Sequence, residues 1–267
     1  MPLLNLISQF CGNLARVRIP KSLRRAALGA YASIYGVEIA EASNAISDYP
    51  SLADFFVREL RPECRPFTPD GLGSPVDGVL RGAGAIQAGM LECIKGRDYT
   101  LMQFLGDREI AQPFREGLYL NFYLSPRDCH HVFAPIDLRV QQVRHIPGGL
   151  WPVNDWGLRV CPAVLAQNER VVVLAECSYG PIVLVMVGAL NVGSIELSFT
   201  KLRTNLETKQ FAPMDYRGKN PLVLARGQKL GTFHLGSSVV ILLSDAKLAA
   251  AVKPSAGSRV KFGERML

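Results

Sequence analysis

The sequence predicts an α+β chain, with amphipathic helices at the N-terminus followed by a mostly antiparallel β core. Three observations carry this. Apolar residues recur at helical spacing near the N-terminus, a proline-broken stretch follows, and beyond about Leu72 short β-branched runs alternate with Gly, Pro, Asp and Asn. The chain has 267 residues, 48% of them apolar and 20% charged. That is a globular composition with enough length to bury a core. A helical region with a linker is expected over residues 1–70 and a β-rich core over 71–267.

The elements follow in order. Leu3, Leu6, Ile7, Phe10 and Leu14 form one apolar stripe at helical spacing. Pro20 interrupts, and a second helix is expected from a Ser22 cap to about Tyr35. Residues 1–37 carry Arg16, Arg18, Lys21, Arg24 and Arg25 and no acidic residue before Glu38. Apolar faces beside such cations suit an anionic bilayer surface, and equally suit a helix packed on its own domain. Ser51–Leu60 reads as a short helix capped by Ser51, with Asp54 three residues on. Pro62, Pro66 and Pro69 then give an extended linker. Strands are expected at Gly117–Leu124, Leu138–Val143, Arg170–Glu176, Pro181–Val187, Gly193–Phe199 and Ser238–Leu243, and a polar loop at Lys201–Lys219.

The net charge of +7 and pI near 9.2 favour anionic partners. Nucleic acid is not expected, because the cations are not interleaved with stacking aromatics. The six cysteines (Cys11, Cys64, Cys93, Cys129, Cys161, Cys177) form no CxxC pair and read as reduced packing residues. No apolar stretch reaches the roughly 18 residues of a spanning helix. No basic cluster leads the first apolar run, so a cleaved secretory signal is not expected.

Chemistry has few places to reside. Of four histidines, His130 and His131 stand together between Pro126 and Pro135, at what reads as a strand end. Adjacent histidines point apart, and no HxxxH or HxH spacing exists, so no metal site is expected. GxSxG, GxGxxG and GxxxxGK[ST] signatures are absent. Ser74–Gly78 (Ser-Pro-Val-Asp-Gly) is by itself a turn containing Asp77. Gly231–Val240 contains the Gly236–Ser237 bond. A serine hydroxyl can attack the preceding carbonyl in a strained turn, and glycine leaves that approach open. The step needs a base for the hydroxyl proton and an acid for the departing nitrogen.

Five segments stand in order: Phe-Phe-Val-Arg (55–58), Ser-Pro-Val-Asp-Gly (74–78), Tyr-Leu-Ser-Pro-Arg-Asp (123–128) with His130, Val-Gly-Ser-Ile-Glu (192–196) and Leu-Gly-Ser-Ser (235–238). Together they resemble the bacterial phosphatidylserine decarboxylase proenzymes from about residue 50 to the C-terminus. The resemblance implies self-cleavage between Gly236 and Ser237, leaving residues 1–236 and a second chain, 237–267, that opens on a pyruvoyl group made from Ser237. That covalent cofactor takes the amine of phosphatidylserine as a Schiff base and accepts the electrons released with carbon dioxide, giving phosphatidylethanolamine. His130 matches the histidine beside the substrate carboxylate, and Asp77 matches the aspartate that orients a histidine for cleavage. The same resemblance implies a heterodimer of the two cleaved chains, a homodimer of these, and a peripheral place on the cytoplasmic side of the cell membrane, against anionic phospholipid.

One position departs from the family. The cleavage base there is a second histidine three residues after the first, and here that residue is Phe133. His131, His234, or Asp77 acting directly or through water can take its place. Three other readings compete with the decarboxylase. One is an unprocessed, catalytically inactive lipid-binding homologue, another is a serine hydrolase using Ser237, and the last is a nucleic-acid binder.

Overall fold

The computed structural model of the chain describes residues 12–91, 99–153, 157, 163–190, 194–204, 211–218, 221–234 and 237–267. The stripe residues Leu3–Phe10, the glycine of the expected cleavage bond, and Cys11, Cys93 and Cys161 lie outside them.

Residues 12–15 are helical. Helix α1 runs Lys21–Tyr35 and stops at Gly36, whose left-handed φ of 71° glycine adopts without strain. Its N-cap is Pro20, with no side-chain cap, so the expected Ser22 cap is corrected. Proline's fixed φ sets the helix entry without a capping hydroxyl. Leu28 and Ala32 of α1 pack with Val37, Tyr49 and Phe55 into a small N-terminal core. Helix α2, Leu52–Phe56, is shorter than expected. Its cap is the expected one, Ser51 Oγ accepting from the Asp54 N–H at 3.2 Å.

The β core begins at strand β1, Gly78–Ala85. It continues with β2 (Met90–Leu91), β3 (Tyr99–Thr100), β4 (Leu118–Leu124), β5 (His131–Phe133), β6 (Leu138–Ile146), β7 (Arg170–Cys177) and β8 (Gly180–Gly188). Then come β9 (Ser194–Leu197), β10 (Met214–Asp215), β11 (Leu222–Leu224), β12 (Lys229–His234), β13 (Ser237–Leu243) and β14 (Arg259–Val260). The six expected strands are all present within a few residues. The expected loop at Lys201–Lys219 is corrected at β10, which pairs antiparallel with β6.

The main sheet runs β10-β6-β7-β8-β13-β4-β1-β14, with β11 also on β6, and its ladders are antiparallel. A second sheet, β5-β12-β9, and the β2-β3 hairpin complete the β structure. Period-2 alternation sorts β8 and β13 between two cores. Leu184, Met186, Val239 and Ile241 share one cluster with Val132, Ile195 and Phe233 of the second sheet. Val183, Val185, Val240 and Leu242 face the other cluster, with Phe104 and Leu105 of the short helix Leu101–Leu105. The main sheet is thus covered on both faces, which explains why β8 and β13 read as continuous apolar runs.

No helix among the described residues is long and apolar enough to cross a membrane. Cys64, Cys129 and Cys177 are free thiols, and burial pushes Cys129 up to about 12.

Candidate active site

Ser237 opens β13, the strand between β4 and β8, with Leu124 and Gly188 as its register partners. Alternation puts it on the face of Val239 and Ile241, toward the second sheet. Its side chain is fully buried, and Oγ has no hydrogen-bond partner. An orphaned buried hydroxyl is costly, so such a group signals a task rather than packing.

His130 carries the second orphan. It is fully buried, and its ring lies 3.9 Å, centroid to centroid, from Phe56 of α2. Nδ1 donates to the Asp128 carbonyl at 2.9 Å, which leaves Nε2 with its lone pair and no partner. Burial is the main force holding this imidazole down to about 3, and the Arg58 charge pushes the same way. It is therefore neutral at physiological pH. The His130 carbonyl accepts from the Phe233 N–H at 2.9 Å. That bond fixes His130 beside the end of β12, and only residues 235–236 separate β12 from Ser237.

Asp77 lies elsewhere in the network. It is buried, and Arg65 grips it through Nε (3.0 Å to Oδ1) and Nη2 (2.7 Å to Oδ2). The Phe262 N–H adds a 2.8 Å bond to Oδ1. Arg65 also donates to Glu41 at 3.0 and 2.7 Å, so one guanidinium joins two carboxylates. Glu41 is held below the usual carboxylate range, first by its hydrogen bond from Arg65. No histidine bonds Asp77. Arg65 occupies the carboxylate, and Phe133, at the position of the family's second histidine, stacks on Phe262 (4.1 Å, 26°).

The two substitute bases differ. His131 shares a strand face with Phe133, their rings 6.4 Å apart. Its Nδ1 meets Thr232 Oγ1 at 2.9 Å and its Nε2 donates to the Val57 carbonyl at 3.1 Å. Both nitrogens are engaged, and burial takes this ring down to about 4. His234, at the end of β12, meets Glu196 Oε2 through Nε2 at 2.9 Å, and its Nδ1 has no partner among the described residues. Burial lowers His234 too, against the raising effect of Glu196. The fourth histidine, His145, pairs with Glu169 at 2.9 Å and is a packed structural residue.

The sequence reading missed Arg65, Phe262 and Glu196 as neighbours of these groups. Only Glu196 carried a signal, as the last residue of the Val-Gly-Ser-Ile-Glu segment. Among the described residues no group of three or more His, Cys, Asp or Glu is placed to hold a metal ion.

Comparison with known proteins places this arrangement. The family model described as phosphatidylserine decarboxylase matches residues 52–267. The phosphatidylserine decarboxylase proenzyme of Anaeromyxobacter sp. (strain K) is 35% identical over 97% of this chain and 93% of its own length. That of Acidovorax ebreus (strain TPSY) is 37% identical over 97% and 92%, and that of Psychromonas ingrahamii is 35% identical over 97% and 91%.

Proposed function

The chain belongs to the phosphatidylserine decarboxylase family, and on that premise we propose that it matures by self-cleavage at Gly236–Ser237 and decarboxylates phosphatidylserine to phosphatidylethanolamine at a membrane surface. The observation that carries this is the pair of orphaned buried atoms, Ser237 Oγ and His130 Nε2. A pyruvoyl group derived from Ser237 supplies the electron-accepting carbonyl that ordinary side chains lack. The fully buried position of Ser237, on the face turned toward the second sheet, fits such a group.

The chain's own residues do the rest. In cleavage, the Ser237 hydroxyl adds to the carbonyl carbon of residue 236 and gives its proton to a base. The C–N bond then breaks and the nitrogen takes a proton, leaving an ester. Loss of the Ser237 α-proton breaks the Cβ–O bond and releases residues 1–236 as a carboxylate, and water converts the remaining dehydroalanine to the pyruvoyl group with loss of ammonia. His234 is the base in this reading. Glu196 orients it by accepting from Nε2–H, which leaves Nδ1 as the proton acceptor, the logic of a carboxylate-oriented imidazole. In the decarboxylase, neutral His130 offers the Nε2 lone pair to take up a proton and hand it back in a buried site. The cleaved chains stay together as a heterodimer, because 237–267 contributes β13, laddered over its whole length to β4 and β8 of the larger chain. Exposed apolar residues of the N-terminal helices, among Arg and Lys, support a peripheral place on an anionic membrane.

Phe133 and the capture of Asp77 by Arg65 favour a second reading, an unprocessed lipid-binding protein. Mass spectrometry of the purified, denatured chain decides between them. Residues 1–236 and 237–267 are expected as separate chains, the smaller blocked by a carbonyl. A single intact chain with an unmodified Ser237 overturns the decarboxylase. For the base, His234→Gln is expected to slow cleavage about 100-fold or more, and Glu196→Gln less. Phe133→His is expected to leave the rate within about twofold, since Asp77 is already bound. Wild-type cleavage in His234→Gln removes His234 from this role.

A further inference from the structure

Among the described residues two buried arginines have no carboxylate partner; Arg170 is satisfied by the carbonyls of Gln103, Phe104 and Asn168, and Arg58 is not. Arg58, just beyond α2, is 3% exposed. Its Nη2 donates to the Arg127 carbonyl at 2.6 Å, and its guanidinium lies over the Phe55 ring at 5.3 Å. Nε and Nη1 are buried and have no hydrogen-bond partner. Arg58 borders a cavity of about 260 Å³ with mixed charges on its wall. Most of the other charges there are paired, while the wall carboxylates of Glu38 and Glu264 have no ion pair among the described residues. Arg65 serves Glu41 and Asp77, Lys261 also reaches Glu41, and Arg259 bonds Asp128. Arg58 and the half-buried Arg127 remain without an ion pair among the described residues. A buried charge left unpaired is strongly unfavourable, by several kcal/mol. Two open donors on such a group point to an anionic occupant.

The cavity adjoins the reaction centre. Asp128 on its wall accepts from His130 Nδ1 at 2.9 Å. Arg58 is close enough for its charge to act on His130. Phosphatidylserine brings two anionic groups. The amine has to reach Ser237 and the carboxylate His130, which leaves the phosphodiester for the neighbouring cation. We propose that Arg58 and Arg127 form a phosphate site that anchors the substrate headgroup and sets its reach toward His130 and Ser237. This rests on the decarboxylase reading for its substrate, though not for its chemistry.

The test is calorimetric titration of the full chain with sn-glycero-3-phosphoserine, inorganic phosphate and free serine at matched ionic strength. Glycerophosphoserine is expected to bind more tightly than either fragment. Arg58→Gln is expected to weaken it at least tenfold, with Arg58→Lys recovering part of the loss, while serine binding stays level across the variants. Unchanged affinity in Arg58→Gln overturns the site. Serine binding as tightly as glycerophosphoserine also overturns it. Equal affinity for inorganic phosphate and glycerophosphoserine overturns the headgroup assignment in favour of a free-phosphate site. If Arg58→Gln fails to fold by circular dichroism, Arg127→Gln carries the test. It is expected to weaken binding at least threefold, and no change overturns the proposal. Binding needs neither cleavage nor turnover. An intact, inactive chain with Arg58-dependent binding therefore ends the decarboxylase reading alone, and an active enzyme indifferent to Arg58 ends the phosphate site alone.

Discussion

At the residue scale, Asp77 and Phe133 are two sides of one rearrangement. The Phe262 N–H bonds Asp77, and the Phe262 ring stacks on Phe133. An aromatic pair therefore fills the space beside the aspartate while Arg65 neutralises it from the other side. Arg65→Ala leaves the buried Asp77 uncompensated, at a cost of about 3–5 kcal/mol. Urea unfolding measures this, and a loss under about 1 kcal/mol shows that water or Lys261 takes over. The buried histidines make a separate, pH-dependent contribution. His130 is taken down to about 3 and His131 to about 4 in the folded chain, against about 6.5 when unfolded. The unfolded chain therefore binds more protons between those values. This stability is complete above about pH 6.5 and is lost as pH falls toward 3. The urea midpoint is expected to drop from pH 7 to pH 4, and His130→Gln to flatten that slope. An unaltered slope in the variant assigns the acid sensitivity to other groups.

At the scale of elements, the site is built where two sheets hand the chain from one to the other. Strand β12 belongs to the small sheet and β13 to the large one, with two residues between them. His234 ends the first and Ser237 begins the second. The small sheet holds His234 against Glu196, because β12 pairs with β9 through Thr232↔Glu196 and His234↔Ser194. Gly231 sets how closely those strands lie. A Cβ there would come 2.6 Å from the Glu196 carbonyl oxygen and 3.1 Å from Met186. Gly231→Ala is expected to push β12 from β9, costing about 1–3 kcal/mol in overpacking, and to slow cleavage as Glu196→Gln does. A destabilised variant that cleaves at the wild-type rate separates the register of β12 from the chemistry.

At the scale of the whole molecule, α1 has two distinct apolar sides. Leu28 and Ala32 are buried in the N-terminal core, while Leu23, Ala27, Ala30 and Ile34 form an exposed stripe at helical spacing. Ile34 is 77% exposed and Leu23 56%. Exposed Arg16, Arg18, Lys21 and Arg25 flank it. Tyr31 of the same helix donates to the Pro126 carbonyl at 3.1 Å, one residue from Arg127. The proposed membrane face is thereby tied to the wall of the headgroup cavity. Leu23→Asp with Ile34→Asp is expected to cut cosedimentation with phosphatidylserine-containing vesicles about tenfold or more, given roughly 1.5–3 kcal/mol per apolar side chain removed from lipid. Undiminished cosedimentation places the membrane contact elsewhere.

Much of this protein was legible in its sequence because its signals are local. The apolar runs of β8 and β13, the Ser51 cap and the prolines after α2 each specify backbone behaviour within a few residues, and the ordered segments around Asp77, His130 and Ser237 specify the family. Phe133 was visible as a missing proton acceptor. What filled the gap was not visible. Arg65 on Asp77 joins residues 12 apart, Glu196 on His234 joins residues 38 apart, and Phe262 on Asp77 joins residues 185 apart. Nothing in local pattern ranks such pairs, because their energy depends on which charges the fold buries together. The unpaired state of Arg58 is likewise a property of the whole enclosure: the sequence supplies the guanidinium in Phe-Phe-Val-Arg, and only the packed structure shows that no carboxylate among the described residues comes to meet it.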